Sequence, residues 1–277
     1  MKRIISVFMV LCLILAMAPA AFATGEETFD TWDGTSSTTP ELVGGVYQID
    51  SAADLVGFAA MVNSGNHSNI DAVLLTGIDL GGNSFTPIGA YAYKENDNVV
   101  NSGYAYIGEF NGNGHVIKNG FINNDSGIYN LGIFGFVNVG GNVHDLTVSC
   151  LTVTGTSPDN EASTGAVIGI LREATAINLA ANSCTVTGVH RVGGVIGSVR
   201  DTSVVNNCDN IETNVTATGM YCGGVIGAAH DLNVKLSGFT PVADDPADVK
   251  YCDNSGDVNG TTEVGGIIGY TDQTMGS

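Results

Sequence analysis

The sequence predicts an all-β protein, a β-solenoid in the form of a right-handed parallel β-helix with an N-terminal capping helix. Three observations carry that expectation: a glycine-aliphatic motif that returns at short intervals, brief Val/Ile/Thr runs between its copies, and one amphipathic stretch ahead of them all. Composition allows it. The chain has 277 residues, 44% of them apolar and 13% charged, enough for one large domain with a real core. Its 38 glycines exceed the ordinary share yet show no Gly-X-Y period, so collagen is excluded and glycine must serve turns or close backbone approach.

The motif reads "RVGGVIG" at 191–197, "YCGGVIG" at 221–227 and "EVGGIIG" at 263–269, with looser copies "LGIFGF" at 131–136 and "TGAVIG" at 164–169. Aligned on the closing glycine, Gly135, Gly169, Gly197, Gly227 and Gly269 fall in register with steps of 34, 28, 30 and 42 residues, the range of solenoid repeats. A second block accompanies each: "HDLTVSCLTVTG" (144–155), "INLAANSCTVTG" (177–188), "SVVNNCDNIETNVTATG" (203–219) and "VKYCDNSGDVNG" (249–260). Alternating Val, Ile and Thr punctuated by Gly and Asn are β signals, and each unit offers about three short strands. One such coil cannot bury its own apolar face, so neighbours must stack. On this reading the aliphatic pair fills the strand, and the glycines permit corners or tight approach between layers. The longest insertion, "LSGFTPVADDPADVK" (236–250), suits a loop at a corner.

The amphipathic stretch is "YQIDSAADLVGFAAMVNSG" (47–65), a strand followed by a helix. Ser51 and Asp54 form an S-x-x-D start, Leu55, Phe58, Ala59 and Val62 fall at i, i+3, i+4 and i+7, and Asn63 to Gly65 closes it. A helix here would cover strand edges that the first coil otherwise leaves open.

The first 23 residues read as a signal peptide: Lys2 and Arg3, an apolar stretch from Ile4 to Met17, and Ala21-Phe22-Ala23 as the cleavage site. The apolar run is shorter than the roughly 20 residues of a spanning helix, so no membrane insertion is expected after its removal. Processing would leave seven basic residues against 28 acids, a formal charge of −21. That excludes nucleic acid as a partner and suits a soluble exported protein.

Five cysteines follow the leader, and Cys150, Cys184, Cys208 and Cys252 look equivalent from unit to unit. A column of buried thiols, disulfides between coils and a zinc site are the readings; the odd count and the lack of a C-x-x-C pair favour the thiols. A second column lies three residues past the closing glycine: Asn138, Arg172, Arg200, His230 and Asp272, with Glu173, Asp201 and Asp231 following the middle three. It reads as a charged stripe or as a solvated corner with locally compensated charge.

Taken in order, the blocks at 47–65, "AVLLTGIDLGGNSFTPIG" (72–89), "YIGEFNGNGHVIKNGFI" (106–122), "LGIFGFV" (131–137) and the later "GGVIG" units resemble bacterial surface proteins carrying the GLUG motif. The resemblance spans about residues 45–277. It implies an exported β-helical region of an adhesin-like protein, a region type also found beside immunoglobulin A1-specific metallopeptidase domains. Such a peptidase needs HExxH, and none of the five histidines has that context. The organisation expected is a signal peptide at 1–23, an exposed segment at 24–44, the cap and first coils at 45–130 and GLUG-type repeat coils at 131–277, with the parent protein continuing further.

No catalytic residue and no cofactor is assigned. Asp79, Glu109 and Asp125 are acids near the first coils, and a pair converging from neighbouring coils would mark a carbohydrate-active β-helix enzyme, a glycoside hydrolase or lyase. Asp244, Asp245 and Asp248 are a weak Ca²⁺ candidate, since calcium wants six to eight oxygens. In "AYAYKENDNVVNSGYAYIG" (90–108), Tyr91 and Tyr93 face Tyr104 and Tyr106 across a turn-rich segment, which predicts a hairpin with tyrosines on one face. Those four residues are the ligand-binding candidates. The expected function is a non-enzymatic surface adhesin or scaffold, monomeric within a longer protein, that contacts a host glycan or protein.

Overall fold

The computed structural model describes residues 27–65, 68–90, 104–123, 129–230 and 249–271. Their regular structure is β apart from one helix, and the strands stack in parallel sheets, an arrangement consistent with a β-helix. Residues 1–23, expected to be a signal peptide, lie outside the described residues. Among those described, no helix is long and apolar enough to cross a membrane.

Each repeat forms one rung of four strands rather than the three expected. In the rung that starts at residue 142 they are Asn142–Ser149, Thr152–Thr154, Ser163–Thr164 and Ile168–Arg172, here termed faces one to four. The next rung repeats them as Thr175–Asn182, Thr185–Gly188, Val192–Gly193 and Ile196–Arg200, and the next as Val204–Ile211, Asn214–Ala217, Met220–Gly223 and Ile226–His230. Every strand pairs in parallel with its counterpart one rung away. The glycine-aliphatic motif thus spans two faces and the corner between them. Sequence reading counted it as one strand because the third face is only two residues long in the clearest copy.

Register stacks like on like. Ile122, Val153, Val186, Val215 and Val258 form one row inside face two, and Phe134, Ile168, Ile196, Ile226 and Ile268 another at the start of face four. The first four members of each row are fully buried. At roughly 1.5–3 kcal/mol per buried aliphatic side chain, these rows hold the rungs together, because a lone rung would leave them wet.

The aligned glycines lie where faces three and four come together. A Cβ built on Gly197 would sit 2.5 Å from the Thr164 nitrogen and 2.7 Å from the Gly169 oxygen; on Gly227 it would sit 2.6 Å from the Gly197 oxygen. These neighbours are backbone atoms that cannot give way. Close approach is therefore the role of the glycine column, as expected. Turning the corners is not: that falls to non-glycine residues with positive φ, such as Asp145, Asn178 and Asn207 on face one and Cys150, Ser183 and Glu212 at its end. Asn and Asp tolerate this left-handed conformation best, and here one bonds the next: Asn178 Nδ2 donates to Asp145 Oδ1 at 2.7 Å and Asn207 Nδ2 to Asn178 Oδ1 at 3.0 Å.

The helix forms as the sequence predicts, over Ala52–Asn63, with Ser51 Oγ accepting from the Asp54 nitrogen. Leu55, Phe58, Ala59 and Val62 are buried. Its first residues follow Val46–Ile49, which pairs in parallel with Asp71–Leu74, so the helix replaces the remaining faces of the first rung. Asn63 ties its end to the next layer: Nδ2 donates to the Pro87 oxygen at 2.9 Å and Oδ1 accepts from the Ala90 nitrogen at 2.8 Å. Within 24–44, Phe29–Thr31 joins face one beside Gly77–Asp79.

Two corners absorb the differences in repeat length. Between faces two and three lie eight residues (155–162) in one rung, three (189–191) in the next and two (218–219) in the one after. The large insertion, 231–248, falls between faces four and one, outside the described residues.

Candidate ligand-binding corner

After Arg3 the chain holds three arginines, and all three stand around one corner on neighbouring rungs. Arg172 and Arg200 pair in register at the end of face four, with His230 next in the row, so the three middle members of the expected column stand in line; Asp272 lies outside the described residues. Arg191 sits at the entry to face three with φ 50°, directly under Tyr221 in the same position one rung on, φ 68°. Neither residue type adopts that conformation cheaply, so the stacked rungs must impose it.

Glu161 joins two of these side chains. It comes from the long 155–162 excursion and bridges Arg191 Nη2 at 2.9 Å and Arg200 Nη2 at 2.6 Å. Burial pushes its carboxyl up, but hydrogen bonds from Arg191 and Arg200 outweigh that and hold it at about 2. Arg191 also donates from Nε to His230 Nε2 at 3.0 Å, which fits a neutral imidazole with its proton on Nδ1. Its side chain is only 8% exposed, and Nη1 has no hydrogen-bond partner among the described residues; nor has Asn130 Oδ1 further down the same row. Arg172 is the open member, half exposed and paired with Asp201 at 2.8 Å.

Aromatic rings complete the corner. Tyr221 stacks on Tyr270 with centroids 4.3 Å apart and planes 30° apart, and His230 lies 5.6 Å from Tyr270. Guanidinium forks beside stacked phenols suit a ligand with planar acidic groups and flat apolar faces, such as an acidic sugar or peptide. Sequence reading found the Arg172, Arg200 and His230 column but not Arg191, Glu161, Tyr221 or Tyr270. Only a four-face register would have brought those residues to it.

The two described members of the predicted tyrosine face differ in exposure. Tyr106 is fully buried, its hydroxyl donates to the Ile70 oxygen at 2.9 Å, and its ring lies 5.6 Å from Phe134. Burial drives its phenol well above the usual range. It is a core residue, not a ligand contact, because its position pairs with Val137 in an inward row. Tyr104 is 44% exposed, and Tyr91 and Tyr93 lie outside the described residues.

The cysteine column is also corrected. Register puts Cys184 beside Leu151 and Thr213, Cys222 beside Val192, and Cys150 on an exposed corner; only Cys208 and Cys252 share a row. The shared "SC" dipeptide misled, since Cys150 and Cys184 stand at different distances from the "TVTG" that follows each. Asp79 serves a turn, accepting from the Gly81 nitrogen at 2.9 Å and from Asn119 Nδ2 at 2.9 Å, and Glu109 meets His144 at 3.3 Å. Asp125, Asp244, Asp245 and Asp248 lie outside the described residues. Among those described, no three His, Cys, Asp or Glu side chains are grouped to hold a metal ion.

No family model matches the chain. An alignment of 239 positions with the halomucin of Haloquadratum walsbyi shows 31% identity and covers 72% of this chain and 2% of that relative. A crystal structure from Bacteroides ovatus, of a candidate immunoglobulin A1 protease, superposes with a TM-score of 0.58 at 20% identity, covering 82% of this chain and 62% of that one. The chain thus spans less than two thirds of each protein it resembles, and the Bacteroides likeness establishes a shared fold.

Proposed function

We propose that the chain is a β-solenoid of GLUG type, right-handed by the general rule for parallel crossovers, and a non-enzymatic module of an exported surface protein. On this reading a leader at 1–23 is removed, the helix near 45–65 caps the stack, and the corner of Arg172, Arg191, Arg200, His230, Tyr221 and Tyr270 contacts a glycan or protein ligand. The likeness to halomucin and to the Bacteroides protein supports an extracellular setting. The observation that carries the binding role is the gathering of every arginine beyond the leader at one corner of a chain with 28 acids. Each arginine is paired with a carboxylate of the corner, so an acidic ligand would bind by exchanging with Glu161 or Asp201, and the rings of Tyr221 and Tyr270 supply its apolar contact.

The test is a glycan and host-protein array probed with the purified chain, beside Arg200→Gln and Tyr221→Ala/Tyr270→Ala variants and Tyr104→Ala as comparator. Binding to acidic saccharides or acidic proteins that falls tenfold or more in the corner variants, but not with Tyr104→Ala, supports the reading. Binding that ignores the corner variants refutes it, and release of reducing sugar from any glycan replaces it with a carbohydrate-active enzyme.

A further inference from the structure

Cys208 lies inside face one of its rung, in the row that runs from Leu146 through Leu179. The following rung keeps one constant offset on this face, pairing Val205 with Val249 and Asn206 with Lys250, and then Asn210 with Asn254. The same offset sets Cys252 directly on Cys208. Strands in adjacent rungs run about 4.8 Å apart, within the Cα separation that a disulfide spans. At that register the two thiols influence one another, Cys252 raising Cys208 and Cys208 lowering Cys252. Backbone carbonyls complete their surroundings, Ala176 and Asn206 for the Cys208 sulfur and Lys250 for that of Cys252.

The members of the pair differ in access. Cys208 is fully buried, whereas Cys252 is only partly covered and can be reached from outside. Cys150, the exposed cysteine, is displaced from this row onto a corner beside Ser183, and Cys184 and Cys222 lie in rows with no second sulfur.

We propose that Cys208 and Cys252 are an inter-rung disulfide site, closed by exchange with a small-molecule or protein disulfide and clamping the 249–271 rung onto the stack. The step balances. The Cys252 thiolate attacks the oxidant disulfide and releases one reduced thiol; Cys208 then gives its proton to solvent and attacks the Cys252 sulfur, releasing the second. Two S–H bonds are lost, one S–S bond forms, and the oxidant gains the two electrons. The order follows from access, and from the mutual influence of the pair, which lowers Cys252 and, together with burial, raises Cys208.

The test uses the purified chain, reduced and then equilibrated with oxidised glutathione, with alkylation, mass spectrometry and thermal melting as readouts. The expected result is loss of two alkylatable thiols, a peptide pair joined through residues 208 and 252, and a melting temperature higher by about 5–10 °C. Cys252→Ser should abolish both the cross-link and the rise, whereas Cys150→Ser should leave them unchanged. Five alkylatable thiols beyond the leader after oxidation, or a cross-link that runs through Cys150, Cys184 or Cys222 instead, overturns the proposal. Circular dichroism on Cys252→Ser separates a lost bond from a lost fold.

Discussion

The start of the stack and its middle rungs solve the same burial problem with different residues. Around the helix the interior is aromatic: Phe58 lies 6.0 Å from both Tyr106 and Phe110, and Phe110 lies 5.0 Å from Phe134. Along the same rows in the middle rungs the rings give way to Val143, Ala176 and Val205, or to Ile168, Ile196 and Ile226. A middle rung is covered above and below, so small aliphatics fill it. The first rungs have a helix where strands would otherwise lie, and a cylinder leaves gaps beside a flat layer. Large rings close them. Each region is thus stabilised where the other is weakest, the cap by side-chain volume and the rungs by backbone proximity.

Substitutions that exploit this contrast separate the two regimes. The largest effect is expected from Gly197→Val, since its side chain would meet backbone atoms of two neighbouring strands; stability should fall by about 3 kcal/mol or more in urea unfolding, with loss of the β signal in circular dichroism. Phe110→Ala should cost a comparable 3–5 kcal/mol, but by leaving a void. The two are told apart by Phe110→Leu, which should recover much of the loss, whereas Gly197→Ala should recover little. Should Gly197→Ala prove neutral, backbone proximity is not what limits the middle rungs.

Asn178→Ala is next. It removes two hydrogen bonds from the corner ladder and places alanine at φ 53°, for an expected loss of about 1–2 kcal/mol in urea unfolding. Asn178→Gly relieves the backbone cost alone and should fall between alanine and the native residue. Equal losses for the two would show that conformation contributes nothing and the ladder everything. In the cap, Tyr106→Phe should cost about 1 kcal/mol through its bond to the Ile70 oxygen, far less than removing a ring.

The smallest effect concerns pH. Glu161 has its carboxyl lowered to about 2 in the folded chain, against an ordinary value of 4.5, so its contribution is complete above the unfolded value and is lost as pH falls toward 2. The stability difference between the native protein and Glu161→Gln should therefore be present at pH 7 and shrink between about pH 4.5 and 2, as read from urea midpoints. A third of the side chain is exposed, so solvent screens the pair and the difference stays modest.

How much of this was legible in the sequence depended on whether a signal was local. The helix was, because Ser51, Asp54 and the Leu55, Phe58, Ala59 and Val62 stripe lie within three turns. The glycine column was legible because an identical steric demand recurs in the same local Gly-aliphatic context, although the steps run from 28 to 42 residues. The arginine corner was only half visible: Arg172, Arg200 and His230 keep phase with the glycines, but Glu161 reaches them from an excursion whose path no periodicity describes. The cysteines failed for a related reason, since a one-residue change of phase moves a side chain to another row. Tyr106 failed because alternation gives a face without saying whether that face looks inward.

The uneven connections between faces two and three have a practical consequence. Between register-equivalent residues, Thr154, Thr187 and Thr216 on one side and Thr164, Val192 and Cys222 on the other, nine, four and five residues close the same gap. Chain length at that point is nearly independent of the scaffold, as loop-closure entropy allows. Foreign peptides grafted there, for instance between 218 and 219, would be carried outward at a fixed height on the column, so the molecule can serve as a ruler for displaying binding epitopes.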